Sequence, residues 1–295
     1  MQNNIKLKIK GLTKFYGSIR GIENLDLEIR RGEIFGFLGP NGAGKTTTIR
    51  CVMNILLPTS GNIFIDGHLV SRANPDLRKT IGYIPEGINL PETYSAKDFL
   101  DYIESMRGVA SPRRQELIDR FSLPVNRKIK ELSRGNKQKV SVIAGLMHDP
   151  DLLMLDEPTS GLDPLLQQEV YSLLTDARDR GKTIFFSSHN LDEVQRICDR
   201  VGIVREGHLI DVHDIESLNR EVSRVLEVSL RKPDSNQINA LGDSLLEFKD
   251  NKVKILVKQS ESIQSYLKVL LPMDPEELSY PPASLEAYFL QFYKA

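Results

Sequence analysis

A chain of 295 residues, 40% hydrophobic and 27% charged, is long enough for one large or two moderate domains and has an ordinary globular composition. Its formal net charge of -1 removes any bulk electrostatic case for binding nucleic acid or an anionic membrane surface. Its two cysteines, Cys51 and Cys198, sit in apolar helical stretches, which excludes a disulfide framework or cysteine metal site and suggests packing in a reducing compartment.

Taken in order, Met1-Gln2-Asn3-Asn4 is polar and lacks the apolar stretch of a signal peptide. No apolar run is long enough to cross a bilayer, so a cytoplasmic protein is expected, with any membrane spans supplied by another chain. Residues 5–10 alternate apolar and basic, and 25–29 apolar and acidic, as half-exposed strands do. Between them, Lys14-Phe15-Tyr16-Gly17 puts an aromatic before a glycine turn, free to stack on a flat base or simply to pack. Residues 33–38 read as a short buried strand and 47–53 as the first turns of a helix. Residues 61–67 read as turn, strand and turn, and 81–85 as a strand ending at Glu86. Amphipathic helices follow over 96–106, 113–121 and 133–148, punctuated by Pro112 and Pro124.

Residues 151–156 and 183–188 are apolar runs of the kind parallel sheets bury on both faces. A helix over 164–180 separates them, a helix over 191–198 follows, and a hairpin around Glu206-Gly207 completes the core. This alternation predicts an α/β domain over 1–215 with a mostly parallel sheet, ligand at the strand carboxyl ends, and a helical subdomain inserted over about residues 88–148. Beyond it, 225–230, 245–248 and 253–257 read as strands and 263–271 and 285–292 as helices. The order is roughly βαββαβα, which predicts a small ferredoxin-like α/β domain over 216–295.

The chemistry centres on Gly39-Pro40-Asn41-Gly42-Ala43-Gly44-Lys45-Thr46, which fits the phosphate-loop pattern G-x-x-x-x-G-K-[ST] between a strand and a helix. Glycines let backbone N–H groups converge on phosphate oxygens, and the helix N-terminus adds a positive dipole end. Lys45 should reach the β- and γ-phosphates and Thr46 should bind Mg²⁺. A glycine turn with a chance lysine would lack the flanking strand and helix.

Four further signals narrow the reading. Asp156 and Glu157 end a buried strand, where the first can hold Mg²⁺ and the second polarise a water. Ser133-Arg134-Gly135-Asn136 opens a helix and makes a second anion-binding N-terminus. One nucleotide does not need two such sites from one chain, whereas a head-to-tail pair of chains does. Ser160-Gly161-Leu162-Asp163 follows the carboxylates directly, and His189 follows a buried strand, placed to donate to a γ-phosphate.

With these motifs in this order, about residues 5–215 closely resemble the ATP-binding subunits of ABC transporters. The resemblance implies that Tyr16 stacks on adenine, that Gly39 to Thr46 with Thr47 form the Walker A site, and that Asp156 and Glu157 end Walker B. It implies that Ser133, Arg134, Gly135 and Asn136 contact a partner's ATP, that Asp163 lies in the dimer-spanning D-loop, and that His189 is the switch histidine. Lys45, Glu157 and His189 would then carry catalysis, with Thr46, Asp156 and Glu86 at the metal. ATP and Mg²⁺ are the implied cofactors. The implied partners are a second cassette, as a homodimer or a pair, and a separate transmembrane permease on the cytoplasmic face of the membrane, with no nucleic acid. The tail, Ser284-Leu285-Glu286-Ala287-Tyr288-Phe289-Leu290, resembles the drug-exporter branch.

Two positions depart from the family pattern. Glu86 stands where glutamine is usual, and a carboxylate can ligate Mg²⁺ but cannot donate. Arg134 stands where glycine is commoner, facing either phosphate or solvent. Other nucleotide-binding classes fit less well. A GTPase needs Asn-Lys-x-Asp, and Asn136-Lys137-Gln138-Lys139 lacks the aspartate. Translation factors of this type carry two cassettes, DNA-maintenance types carry long coiled coils, and a non-hydrolysing module would not need Glu157.

Overall fold

The computed structural model describes residues 4–87, 90–221, 224–257 and 261–280. The chain forms two compact units, residues 1–213 and 214–295. The first contains β1 (Ile5–Tyr16), β2 (Ile19–Arg30), β3 (Ile34–Leu38), α1 (Lys45–Val52), β4 (Ser60–Ile65), β5 (His68–Leu69), β6 (Ile81–Ile84), α2 (Ala96–Arg107), α3 (Arg114–Arg120), α4 (Arg134–Leu146), β7 (Leu152–Asp156), α5 (Pro164–Asp179), β8 (Thr183–Ser188), α6 (Leu191–Ile197), β9 (Arg200–Arg205) and β10 (His208–Asp214).

One sheet runs β10-β9-β3-β8-β7-β6, and its pairs from β9 across to β6 are parallel. Every residue of β3, β7 and β8 is buried, as their unbroken apolar runs require. Phe35, Phe37 and Phe185 meet across adjacent strands, with ring centroids 6.1 and 5.1 Å apart. A second, antiparallel sheet runs β2-β1-β4-β5 and packs Leu7, Ile9, Leu25 and Ile29 into the same core as Phe35 and Phe37.

The strand expected over 5–10 continues to Tyr16. The apolar alternation breaks at Gly11, where φ is +55° and the register shifts, and the strand resumes beyond this irregularity. Tyr16 therefore ends a strand, directly before the turn at Gly17.

Helices α2, α3 and α4 form the inserted helical region. Ser95 caps α2 through a reciprocal box with Asp98. At its other end, Arg107 bonds the Ile81 carbonyl at 3.1 Å and His148 Nε2 at 2.8 Å, joining α2 to the start of β6. Burial, helped by the Arg107 charge, pushes the His148 imidazole down to about 4. The folded ring takes its proton only near that pH, whereas the unfolded ring does so near 6.5. Stability should therefore fall as pH drops from about 6.5 to 4. His148→Gln should flatten that part of the melting-temperature profile; an unchanged profile would place the dependence elsewhere.

The second unit contains α7 (Ile215–Glu221), β11 (Arg224–Leu230), α8 (Ser235–Asn239), β12 (Leu245–Lys249), β13 (Lys252–Val257), α9 (Ile263–Leu270) and β14 (Pro275–Ser279). Its antiparallel sheet runs β12-β13-β11-β14, the order of a ferredoxin-like split βαβ domain. Alternate residues Leu226, Val228 and Leu230 of β11 and Val253, Ile255 and Val257 of β13 face Ile238, Tyr266 and Leu270. The helix expected over 285–292 and the exporter-like tail lie outside the described residues.

Candidate nucleotide site

Three neighbouring strands deliver the site. Their register sets Leu38 of β3 beside Ser188 of β8, and Ser187 beside Asp156 of β7. The next residues, Gly39, His189 and Glu157, therefore leave the same edge of the sheet together. Open α/β sheets bind ligands at this carboxyl edge.

The loop after β3 takes the shape its glycines allow. Gly42 and Gly44 have φ of +81° and +104°, in the left-handed range that favours glycine. Gly39 is fixed by space, because a Cβ there would lie 2.3 Å from the Val204 carbonyl oxygen. Gly39→Ala should therefore cost about 1–3 kcal/mol of stability, by analogy with overpacked cores; a wild-type urea midpoint would contradict this close approach. Ala43 is buried, and the first turn of α1 carries no acidic residue to oppose an anion.

Lys45 is nearly buried, and its Nζ donates to the carbonyls of Gly39 at 2.7 Å and Pro40 at 3.1 Å. It also lies 3.1 Å from Glu157 Oε1. Glu157 Oε2 is 2.9 Å from His189 Nδ1, so the carboxylate lies between the lysine and the histidine. The Glu157 backbone has φ of +46°, an uncommon conformation for a non-glycine residue and one that clusters at functional sites. Its N–H donates to Ser187 Oγ at 3.1 Å, and that hydroxyl donates to Asp156 Oδ1 at 2.9 Å.

Asp156 is fully buried. Burial pushes its carboxyl above the usual range, against hydrogen bonds from Thr46 and Ser187 and with added repulsion from Glu86 and Glu157. Its Oδ1 accepts from Thr46 at 3.1 Å, while its buried Oδ2 has no hydrogen-bond partner. The Thr46 hydroxyl is also 3.3 Å from Glu86 Oε2. An orphaned carboxylate oxygen beside a hydroxyl and a second carboxylate is a hard oxygen donor set that suits Mg²⁺.

Tyr16 is half exposed, with its hydroxyl 3.3 Å from Thr47 Oγ1 and Lys14 Nζ 5.5 Å from its ring centroid. Tyr16, Asn41, Gly42, Gly44, Thr47 and Glu86 line a groove of about 400 Å³, which Lys45, Thr46 and Glu157 complete.

Ser133, Gly135, Asn136 and Asp163 lie elsewhere, around a second groove of about 400 Å³ that shares no lining residue with the first. Ser133 caps α4 by accepting from the Asn136 N–H at 3.3 Å, and the first turn of α4 has no acidic residue. Asp163 caps α5 through the Leu166 N–H at 3.0 Å. Arg134 is exposed, the solvent-facing course of the two open to it from sequence. Its guanidinium packs over Gly161, where a Cβ would lie 2.2 Å from Nη2.

The sequence reading missed the residues that hold the loop after Glu157. Gln138 of α4 donates to the Pro158 carbonyl at 2.7 Å, and Thr159 donates to Glu193 of α6 at 2.8 Å. Glu193 was detectable, because Val194, Ile197 and Cys198 mark the apolar face of its helix and a carboxylate among them needs partners.

The ABC transporter family model matches residues 22–160. The uncharacterized ABC transporter ATP-binding protein YhcH of Bacillus subtilis is 34% identical over 97% of this chain and 95% of its own length. The bacitracin transport ATP-binding protein BcrA of Bacillus licheniformis is 33% identical over 97% of this chain and 96% of its own. Among solved structures, the dimeric bacterial ABC transporter cassette MJ0796 superposes with a TM-score of 0.64 at 24% identity, covering 71% of this chain and 98% of its own, a likeness of fold. With relatives aligned along nearly its whole length, the chain belongs to the ABC transporter family as one of its ATP-binding, ATP-hydrolysing subunits.

Proposed function

We propose that two cassettes of this kind close on ATP, each completing its partner's site, and part after hydrolysis. The supporting observation is that one chain carries two helix N-termini suited to phosphate in separate grooves, at Lys45 and at Ser133. A head-to-tail dimer would bring the Ser133 groove of one chain to the Lys45 groove of the other. The solved cassette MJ0796 is dimeric, which supports this arrangement.

In this reading Tyr16 stacks on the adenine. The backbone from Gly39 to Thr47 cradles the phosphates, and Lys45 neutralises the β- and γ-oxygens. Glu157 accepts the proton of the attacking water, and His189 beside it orients Glu157 and donates to the γ-phosphate. Thr46, Asp156 and Glu86 hold Mg²⁺, which would supply charge neutralisation at the transferred phosphoryl group. Ser133, Gly135 and Asn136 present α4 to the partner's γ-phosphate, while Arg134 braces the D-loop that carries Asp163.

A switch from 1:99 to 99:1 in favour of the closed pair needs roughly 5.5 kcal/mol of differential binding. Several charge-assisted hydrogen bonds at about 1.5–3 kcal/mol each can supply it. Among the described residues no helix is long and apolar enough to cross a membrane. We therefore assign the translocation path to a separate permease, with the cassette on the cytoplasmic face and the Glu86 loop transmitting closure. Export as the direction follows the resemblance to drug exporters and the relative named for bacitracin transport.

Mixing chains tests the shared site. Ser133→Arg and Lys45→Ala should each be inactive alone, and their mixture should recover up to about a quarter to a half of wild-type turnover through dimers with one intact composite site. A mixture as dead as its components would rule out sharing.

A further inference from the structure

Glu193 is a buried carboxylate, 9% exposed, that forms no ion pair among the described residues. Three hydroxyls surround it. Its Oε1 accepts from Thr159 Oγ1 at 2.8 Å and Tyr171 OH at 3.0 Å, and its Oε2 accepts from Ser188 Oγ at 2.6 Å. A buried carboxylate is costly without such donors, and the donors are equally costly to leave unpaired.

The positions of these donors set what Glu193 can do. Thr159 is two residues past Glu157, on the loop leading to Asp163. Ser188 directly precedes His189, and its carbonyl accepts the Gly39 N–H at 3.2 Å, so the same residue touches the phosphate loop. Tyr171 lies on α5, the helix that Asp163 caps. One side chain therefore joins the backbone before His189, the start of the phosphate loop, the loop behind Glu157 and the helix behind the D-loop. Glu157 and His189 must stay aligned to act on one water, and their 2.9 Å contact is held from behind by the two arms of Glu193.

Resting on the assignment of Glu157 and His189 to hydrolysis, we infer that Glu193 is a positioning residue that locks Glu157, His189 and the D-loop into one hydrolytic unit. It works as a set of acceptors and needs no charge. A glutamine at this position keeps Oε1 for Thr159 and Tyr171. Its amide can donate to Ser188 Oγ, whose proton turns to the Asn190 carbonyl, 3.3 Å away. A leucine of similar size leaves all three hydroxyls facing an apolar group.

Steady-state hydrolysis by folded protein, matched by circular dichroism, tests the inference. Glu193→Leu should lower kcat at least about tenfold while KM for ATP stays within about threefold, and Glu193→Gln should return kcat to within about threefold of wild type. Should Glu193→Leu fail to fold, the Thr159→Val/Ser188→Ala double variant removes the two arms while keeping the carboxylate and its Tyr171 bond, and should show the same split. Wild-type kcat in the folded Leu or double variant, beside an inactive Glu157→Gln control, would overturn the inference alone. Equal loss in the Leu and Gln variants would also overturn it, since it would tie the effect to charge. Normal turnover by Glu157→Gln would overturn both this inference and the assignment beneath it.

Discussion

Glu157→Gln should bind ATP at least as well as the parent protein and hydrolyse it at least about 100-fold more slowly, the range expected for losing a general base. The two side chains are nearly isosteric, so the strained backbone at φ +46° and its bond to Ser187 can persist. The amide can still present its oxygen to Lys45 or its edge to His189, both within about 3 Å of the present carboxylate. It cannot take a proton from water. Removing a negative charge from the phosphate site also removes a repulsion, so affinity should hold or rise. The checks are ATP binding by equilibrium dialysis and phosphate release under single turnover; normal release would take the base role from Glu157.

Lys45→Ala should fail at the earlier step. Lys45 is the nearly buried cation of the phosphate loop, anchored by the Gly39 and Pro40 carbonyls with its charge directed at Glu157. Alanine removes the charge-assisted bonds to phosphate, worth about 1.5–3 kcal/mol each, or roughly 10- to 150-fold in affinity per bond. It also leaves Glu157 facing phosphate without a neutralising neighbour. ATP affinity should fall by two orders of magnitude or so, and turnover should be lost with it. Calorimetric titration showing unchanged affinity would remove Lys45 from ground-state binding. The two variants therefore separate binding from chemistry: Lys45→Ala should lose ATP, and Glu157→Gln should keep it without hydrolysing it.

Much of this site could be read from the sequence because its chemistry is local. A phosphate loop needs its glycines, lysine and threonine at fixed spacing, so eight consecutive residues identify it. The strands before Gly39, Glu157 and His189 were legible because burial on both faces leaves an unbroken apolar run. Strand order was not legible. β8 lies between β7, whose pairing brings His189 to Glu157, and β3, whose pairing brings both to the phosphate loop through residues about 150 apart in the chain. The course of β1 past Gly11 was hidden by an irregularity that interrupts its alternation. The Glu193 network was missed because each partner is an ordinary polar residue whose role depends on three elements meeting. Arg134 packs on Gly161 because that glycine's bare α-carbon leaves room for a guanidinium, a fit that only the folded loop defines.

In the proposed cycle ATP is held between two cassettes. Sedimentation of Glu157→Gln at saturating ATP and Mg²⁺ tests this most directly. The expected result is a dimer that dissociates when ATP is withdrawn and does not form when Ser133→Arg is added to the same chain. A monomer at every protein concentration, both alone and with its reconstituted permease, would contradict it.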